Sequence, residues 1–293
     1  QPESSAASDV YKRQFHGWGY SSAGGLISVP KEDQFGDIDK SCNGLVELPA
    51  EEKHGILWVH PDPNGSFDLE AQLGDLAAEF DSWGFEKYIF QGNTTFEHQM
   101  NWKLAIDTFG ETYHFNTLHR DTLAKDFHGN CQMYDRFERN HRMMLCLKNI
   151  DNLRGQNAEE CNVLHACLPV YYIWPNVQLI MGLNGPTLVR VYPEHANPNK
   201  SFSRISFFLA PEISTELQSN RGSGESIEDI QARMRGFADV IQKEDYAVAE
   251  TSHFGALSGA FDHVVFGRNE PALHHYHNTY RSVLNLPPLE AVS

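Results

Sequence analysis

Two histidines and an acidic residue lie close together in the stretch NWKLAIDTFGETYHFNTLH, residues 101–119. Glu111 is followed by His114 and then, five positions later, by His119. On an ideal helix that spacing separates two imidazoles by roughly 140°, so they converge only across a broad face or at a fraying helix end. Two imidazoles with one carboxylate suit Fe(II) and leave coordination positions open for O2 and a substrate. The spacing alone fits a metal site, and it equally fits a polar helix end with ordinary hydrogen-bonded histidines.

A carboxylate far along the chain is a candidate for the missing ligand. Ser226 and Asp229 have approximately the spacing of a capping box, which predicts the start of a long helix. Apolar residues then recur at helical spacing: Ile227, Ile230, Met234, Phe237 and Ile241. Asp245 lies 18 residues after Ile227, about five turns, and so shares its azimuth on the apolar stripe. A buried carboxylate is costly unless it is paired, hydrogen-bonded or bound to a metal. Asp245 is therefore either the anionic ligand or a buried Asp bonded to a Tyr or a backbone amide.

Strands are predicted around these candidate ligands. Residues 96–104 alternate between apolar and polar, which predicts a half-buried strand, and residues 106–113 continue at helical spacing. Residues 170–210 read as antiparallel strands, VYYIWPNVQLIM, TLVRVYP and SFSRISFFLAP, separated by the turn signals Asn184-Gly185 and Asn197-Pro198-Asn199. Such a meander needs a cover, which the helix beginning near Ser226 is predicted to supply. The predicted fold class is therefore α+β.

The first part of the chain has a different pattern. Residues 1–14, QPESSAASDVYKRQ, show no apolar periodicity, and we interpret them as a non-native scar. A natural disordered terminus is the alternative. Residues 15–63 contain short apolar segments broken by turns, which predicts a small all-β domain. Residues 64–293 are predicted to form a second, larger domain.

Composition excludes some classes of function. The 23 Lys and Arg against 39 Asp and Glu give a formal charge of −16, which repels nucleic acid and anionic membranes and favours a small-molecule or protein partner. No apolar run has membrane-spanning length and no secretory leader is visible. The five cysteines form no CxxC pair, so a reducing cytoplasm is the expected location.

The motif around the two histidines resembles that of a known family. NWK, the acidic-Thr-Phe step at residues 107–109, ETYH and the second histidine match the N-W-K…[D/E]-x-x-H-x4-H signature of the Rieske non-haem iron oxygenases, which hydroxylate aromatic rings. The resemblance covers roughly residues 15–285. It implies that His114, His119 and Asp245 bind a mononuclear Fe(II).

The same resemblance implies a second role for an acidic residue. Glu111 matches the acidic bridge that links the iron to an iron–sulfur cluster in a neighbouring subunit. Many members of the family have Asp at this position, so Glu111 places the chain in a subgroup that uses the longer acid. A further departure follows Asp245, where His253 stands in place of the more common Gln.

The N-terminal domain resembles part of a Rieske domain. FHGWGYSSAGGLISVP is similar to the second cluster-binding loop of the family, and His16 matches its histidine ligand. The matching cysteine position holds Arg13, and the preceding C-x-H loop is absent. Because one ligand cannot hold a [2Fe–2S] cluster, the cluster is expected only in an intact parent. The chain is accordingly expected to be a truncated oxygenase, inactive by itself.

The family also implies a fold, a reaction and partners. The implied fold is a helix-grip (Bet v 1-like) domain, in which an antiparallel sheet wraps a long C-terminal helix. The implied reaction is mono- or dioxygenation of an aromatic or other small organic substrate by O2, with electrons from a ferredoxin or flavin reductase. A homotrimer is expected. The predicted substrate pocket is lined by Tyr171, Tyr172, Ile173, Trp174, Leu179 and Met181, although a core role fits that strand equally well.

Two other functions are consistent with parts of the sequence. A 2-oxoglutarate-dependent oxygenase needs an H-x-D/E pair, which His60-Pro-Asp62 and His119-Arg-Asp121 offer. A non-catalytic helix-grip protein would bind an apolar ligand and carry no metal. The cluster HHYH, residues 274–277, is a further possible metal site, but Glu270-Pro271 predicts that it lies on a helix.

Overall fold

A computed structural model describes residues 10–12, 15–214 and 226–291. The chain divides into two compact units, residues 1–68 and residues 69–293. Apart from residues 10–12, the predicted scar lies outside the described residues, and its origin stays a prediction. No helix within the described ranges is both long and apolar enough to cross a bilayer.

The first unit contains short antiparallel strands. A three-stranded sheet is formed by β1 (Val10–Lys12), β2 (Gly19–Ser21) and β3 (Leu26–Ser28), and a hairpin by β4 (Ala50–Lys53) and β5 (Ile56–Val59). Tyr20, Leu26 and Val29 form its small core. The GLVELP segment, residues 44–49, is not a strand, in contrast to its apolar pattern.

A seven-stranded antiparallel sheet dominates the second unit. Its strands are β6 (Ile89–His98), β7 (Phe127–Phe137), β8 (Asn140–Leu147), β9 (Cys167–Ile173), β10 (Val177–Gly182), β11 (Gly185–Glu194) and β12 (Asn197–Leu209). The order across the sheet is β6-β12-β11-β10-β9-β8-β7. The antiparallel meander predicted for residues 170–210 is confirmed, except that residues 174–176 divide its first segment into β9 and β10.

Helices cover this sheet. They are α1 (Leu69–Leu73), α2 (Leu76–Trp83), α3 (Trp102–Asp107), α4 (Ile227–Val240), a π-helical segment (Ile241–Tyr246), α5 (Ala247–Leu257) and α6 (Pro271–Val283). The predicted capping box is present, since the side chains of Ser226 and Asp229 each bond the other residue's backbone N–H. Ala238, Ile241 and Tyr246 pack into one apolar core with sheet residues such as Val189 and Ile205.

The strand predicted for residues 96–104 is partly wrong. Alternation holds as far as His98, where β6 ends, and α3 begins at Trp102. Asn101 causes the change, because its side chain accepts a hydrogen bond from the Lys103 backbone N–H and caps the helix. Its amide also donates to the Pro198 carbonyl at 2.8 Å. The Asn of the NWK motif thus ties the start of α3 to the sheet.

Replacement of this cap is expected to destabilise the second unit. Asn101→Ala removes the N-cap and the bond to Pro198, and we expect the free energy of unfolding to fall by about 1–2 kcal/mol. Urea denaturation followed by circular dichroism measures the change. Asn101→Ser is the matched control, because it retains a capping oxygen and should lose less. Equal stability of the alanine variant and the parent would contradict the capping role.

Candidate metal centre

The two histidines lie in a series of turns after α3. The carbonyl of His114 accepts bonds from the N–H groups of Thr117 and Leu118, at 3.0 and 2.8 Å, and residues 113–122 form turns instead of a regular helix. The helical spacing predicted for residues 106–113 therefore ends at Asp107. Because the chain turns instead of extending as a helix, the imidazole centroids of His114 and His119 come within 4.9 Å.

Asp245 reaches this pair from the π-helical segment. Its Oδ1 lies 3.3 Å from Nε2 of His114 and 3.2 Å from Nε2 of His119. One ligand atom from each of the three residues falls within 4.8 Å of the other two. The structure thus brings together the three residues that the sequence analysis predicts, across more than a hundred positions of chain. Their role as metal ligands stays a prediction.

The outer nitrogen of each imidazole is held by a second carboxylate. Glu111 contacts Nδ1 of His114 and accepts a bond from the His114 backbone N–H at 3.1 Å. Glu244 lies 2.8 Å from Nδ1 of His119, and its carboxylate also accepts the Thr122 hydroxyl at 2.8 Å. An ionised carboxylate accepts hydrogen bonds but cannot donate them. Nδ1 of each imidazole therefore carries the proton of its hydrogen bond to the glutamate. Such outer contacts fix the tautomer and orientation of metal-binding histidines.

Sequence reasoning did not find Glu244. Its signal was available, because it directly precedes Asp245 and gives the helix two adjacent acids next to its apolar stripe. The π-helical segment places both carboxylates against the same His119 ring, where Glu244 contacts Nδ1 and Asp245 contacts Nε2. Single π-turns within helices often mark functional sites.

The inner atoms of this cluster fit a cation. With the protons held on Nδ1, both Nε2 atoms present lone pairs toward an oxygen that also carries lone pairs. The buried Nε2 of His114 has no hydrogen-bond partner. Three acceptors facing one point repel each other unless a positive charge lies between them. Two imidazole nitrogens and a carboxylate oxygen are a donor set that suits Fe(II).

Protons are the competing cations at this site. Burial lowers the pKa of His114, but the carboxylates of Asp245 and Glu111 outweigh it and raise that pKa to about 9. Burial opposes them at His119 as well, where Asp245 and Glu244 raise the pKa. Burial would raise the pKa of Asp245, yet the two histidines lower it. A metal must therefore displace at least one proton to bind.

A buried chain of hydrogen bonds anchors the residue next to Asp245. The Tyr246 hydroxyl and the Ser203 hydroxyl are 3.0 Å apart, and Ser203 Oγ lies 3.1 Å from Nε2 of His98. Burial lowers the pKa of His98 to about 4, so this imidazole is neutral at pH 7. The chain of bonds joins the π-helical segment to β12 and β6, and thereby fixes the backbone that carries Asp245.

An apolar cavity adjoins the three candidate ligands. Eleven of its sixteen lining residues are apolar: Phe109, Phe115, Leu123, Phe127, Leu145, Leu168, Val170, Ile180, Phe237, Val240 and Ile241. Its volume is about 50 Å³, below the roughly 300–1,000 Å³ of pockets that enclose larger ligands. A ligand the size of an aromatic ring therefore needs some lining side chains to move.

The six residues predicted to line the pocket do not line this cavity. Val170 and Ile180 face it, and side chains alternate along a strand, so Tyr171, Ile173, Leu179 and Met181 point to the other face of the sheet. There Tyr171 packs on Phe80 of α2, with ring centroids 5.6 Å apart. Two others pack elsewhere: Tyr172 donates to the Pro175 carbonyl, and the Trp174 ring lies 4.2 Å from that of Tyr280. All six pack in the interior or at its margin.

Other predicted site residues lie outside the cluster. His16 is exposed in a turn before β2 and is not part of any group of three or more potential metal ligands among the described residues. Asp121 is exposed and paired with Arg120, so the H-x-D interpretation at His119 is wrong. The HHYH cluster lies on α6 as predicted, where His275 contacts the Glu138 carbonyl and His277 contacts Asp107, each at 2.9 Å.

Comparison with known families and proteins gives a consistent result. Residues 85–286 match the family described as ring hydroxylating alpha subunit (catalytic domain). Over 129 residues the chain is 36% identical to the large oxygenase component of the 2,4-dinitrotoluene dioxygenase system of Burkholderia sp. (strain RASC), covering 37% of this chain and 26% of that protein. Over 123 residues it is 37% identical to the large oxygenase component of the naphthalene 1,2-dioxygenase system of Ralstonia sp., with the same coverage. The matched segment is about a quarter of each relative's length.

Solved structures share the fold. A quaternary ammonium Rieske monooxygenase superposes with a TM-score of 0.70 at 17% identity, covering 96% of this chain and 73% of that one. Naphthalene 1,2-dioxygenase with indole bound in its active site superposes with a TM-score of 0.64 at 16% identity, covering 94% and 74%. At these identities the likeness concerns the arrangement of helices and strands.

Metal affinity is expected to rise with pH. Because the pKa of His114 is about 9 in the metal-free protein, its imidazole carries a second proton at lower pH. Metal binding releases this proton. We expect the dissociation constant for Fe(II) to fall about tenfold per pH unit between pH 6.5 and 8.5 for each proton released. Anaerobic calorimetry in two buffers with different ionisation enthalpies measures both the affinity and the proton count. An affinity independent of pH over that range would contradict this electrostatic description.

Proposed function

Since the chain belongs to the ring-hydroxylating alpha-subunit family through its catalytic domain, we propose that it is the oxygen-activating part of a multicomponent Rieske-type oxygenase. The convergence of His114, His119 and Asp245 beside an apolar cavity carries this proposal. A bound Fe(II) would supply O2 activation next to an organic substrate. A non-catalytic ligand-binding protein has no need of three converging acceptors, which are costly to bury without a cation.

The residues of the chain have separable roles in this proposal. His114, His119 and Asp245 hold the iron, while Glu111 and Glu244 keep the imidazole protons on Nδ1 so that both Nε2 atoms face inward. The apolar lining keeps water away from the reacting atoms and favours an aromatic or other apolar substrate over a charged one. The relatives named for naphthalene and dinitrotoluene support a substrate of this class.

Electron delivery involves Glu111. Its carboxylate contacts Nδ1 of His114, the ring nitrogen on the side away from Asp245, and its side chain remains 15% exposed, which supports a bridging role. We assign it the bridging position toward a [2Fe–2S] cluster supplied by a neighbouring subunit of a homotrimer, with a ferredoxin or flavin reductase as the source of electrons. Residues 15–63 then belong to a Rieske domain that includes His16, and residues 64–293 form a helix-grip catalytic domain.

Loss of one imidazole is expected to abolish iron binding. His114→Ala removes one of three ligands, and we expect the iron content after anaerobic reconstitution to fall from about one per chain to below about 0.1. Elemental analysis measures it. His165→Ala is the matched control, because His165 is exposed and away from the cavity. Full iron content in the His114 variant would reject the assignment.

Oxygen incorporation tests the reaction itself. The Fe(II)-loaded full chain, reduced chemically and supplied with naphthalene and 18O2, should give a hydroxylated product that contains 18O. Mass spectrometry detects the label, and Asp245→Asn should lower the yield at least about tenfold because the anionic ligand is lost. Stoichiometric iron together with no labelled product would contradict the proposed oxygenase activity.

The two outer carboxylates are expected to differ. Glu111→Gln should keep iron bound and should slow turnover driven by a cluster-containing protein partner much more than turnover driven by a small chemical reductant. Glu244→Gln should weaken iron binding about 10- to 100-fold, because it disturbs the orientation of the buried His119 ring. Reductant-dependent kinetics and iron titration separate the two effects. Identical behaviour of both variants would exclude a bridging role specific to Glu111.

A further inference from the structure

Three cysteines occupy adjacent strands on the side of the sheet away from the cavity. Cys131 lies on β7, Cys146 on β8 and Cys167 on β9, and these strands are neighbours in that order. Leu145 and Leu168, which flank the last two, line the cavity. Because side chains alternate along a strand, the thiols point away from the metal centre. They have no role in the proposed oxygenase chemistry.

The register places two of these thiols directly opposite each other. Cys146 is the partner of Cys167 across β8 and β9. The next pair is hydrogen-bonded, since Leu147 N–H donates to the Ala166 carbonyl at 2.8 Å. Hydrogen-bonded and non-hydrogen-bonded pairs alternate, so the cysteine pair is non-hydrogen-bonded, with α-carbons about 4.5 Å apart. That separation lies inside the roughly 4.4–6.8 Å range that a disulfide spans.

The third thiol extends this pair to the surface. Gln132 pairs with Leu145 across β7 and β8, so Cys131 adjoins Cys146 on the middle strand, and the thiols of Cys131 and Cys167 are close enough to raise the pKa of the Cys146 thiol. Cys131 is exposed, whereas Cys146 and Cys167 are 4% and 2% exposed. Ile150 and Leu153 pack over the Cys167 end. An oxidant in solution therefore meets Cys131 first, and the buried pair is reached only through it.

We propose that these residues form a thiol relay that stores a reversible disulfide between Cys146 and Cys167, with hydrogen peroxide as the oxidant. The Cys131 thiol ionises, its thiolate attacks one peroxide oxygen, and the O–O bond breaks to give a sulfenic acid and hydroxide, which takes up the released thiol proton and becomes water. The Cys146 sulfur then displaces water from the sulfenic sulfur and forms a Cys131–Cys146 disulfide. Cys167 attacks the Cys146 sulfur, and Cys131 leaves as a thiol. The net reaction converts two thiols and one peroxide into a disulfide and two waters.

The arrangement of the row favours this sequence of steps. Exchange of a disulfide needs the attacking sulfur, the attacked sulfur and the leaving sulfur nearly in line, and the order β7-β8-β9 puts Cys146 in the middle. Burial raises the pKa of the Cys146 thiol to about 12, so this thiol is a poor first target for peroxide compared with the exposed Cys131. The final disulfide is the buried one, which makes it slow to be reduced from solution.

Peroxide treatment of the full chain tests the relay. Cys42 and Cys161 are replaced by Ser so that only the three thiols of the row remain. We expect the titratable thiols in the denatured protein to fall from three to one, and peptide mapping to show Cys146 linked to Cys167. Dithiothreitol should restore all three. Three thiols remaining reduced, oxidation of Cys131 to the sulfinic acid alone, or Cys131–Cys146 as the final product would each overturn the proposal.

Two variants test the order of the steps. Cys131→Ser should slow formation of the buried disulfide at least about tenfold, because the exposed entry thiol is lost. Cys167→Ser should instead accumulate the Cys131–Cys146 disulfide. An unchanged rate in Cys131→Ser would show that peroxide reaches the buried pair directly and would reject the relay. Circular dichroism confirms that each variant is folded, and the Cys131 variant, altered at an exposed position, keeps the test valid if Cys167→Ser does not fold.

Discussion

The second unit is organised around a point where three electron-pair donors meet in the protein interior. Oδ1 of Asp245 lies 3.3 Å from Nε2 of His114 and 3.2 Å from Nε2 of His119, and two further carboxylates hold the imidazoles in that orientation. Such a cluster is unfavourable without positive charge. Either protons or a metal ion must neutralise this cluster. The carboxylates on both Nδ1 atoms keep both Nε2 atoms turned inward, as metal binding requires.

The fold meets this requirement by fixing two segments that are distant in sequence. Strand β6 ends at His98 and Asn101 caps the start of α3, after which the chain turns and brings the two histidines together. The π-helical segment presents Glu244 and Asp245 to the same ring, and the chain of bonds from Tyr246 to His98 joins that segment to the sheet. The apolar face of β8, β9 and β10 supplies the remaining wall of the cavity.

Sequence patterns predicted some of this arrangement and missed the rest for physical reasons. The capping box at Ser226, the meander after residue 170 and the burial of Asp245 are visible because they depend on local spacing. Strands β7 and β8 were not predicted, since β7 is bulged and mixes polar with apolar residues. The residues predicted to line the pocket lie elsewhere, because both faces of β9 and β10 are buried and the sequence pattern does not say which face meets the cavity. The wheel count to Asp245 assumed a uniform α-helix, although the π-helical segment changes the pitch before that residue.

Anomalous diffraction at the iron absorption edge from crystals of the Fe(II)-loaded chain tests the central claim most directly. A single strong peak between Nε2 of His114, Nε2 of His119 and a carboxylate oxygen of Asp245, within coordinating distance of all three, is the predicted result. Iron located elsewhere, or an ordered cluster in which these three side chains bond to each other and exclude the metal at full iron loading, would contradict it.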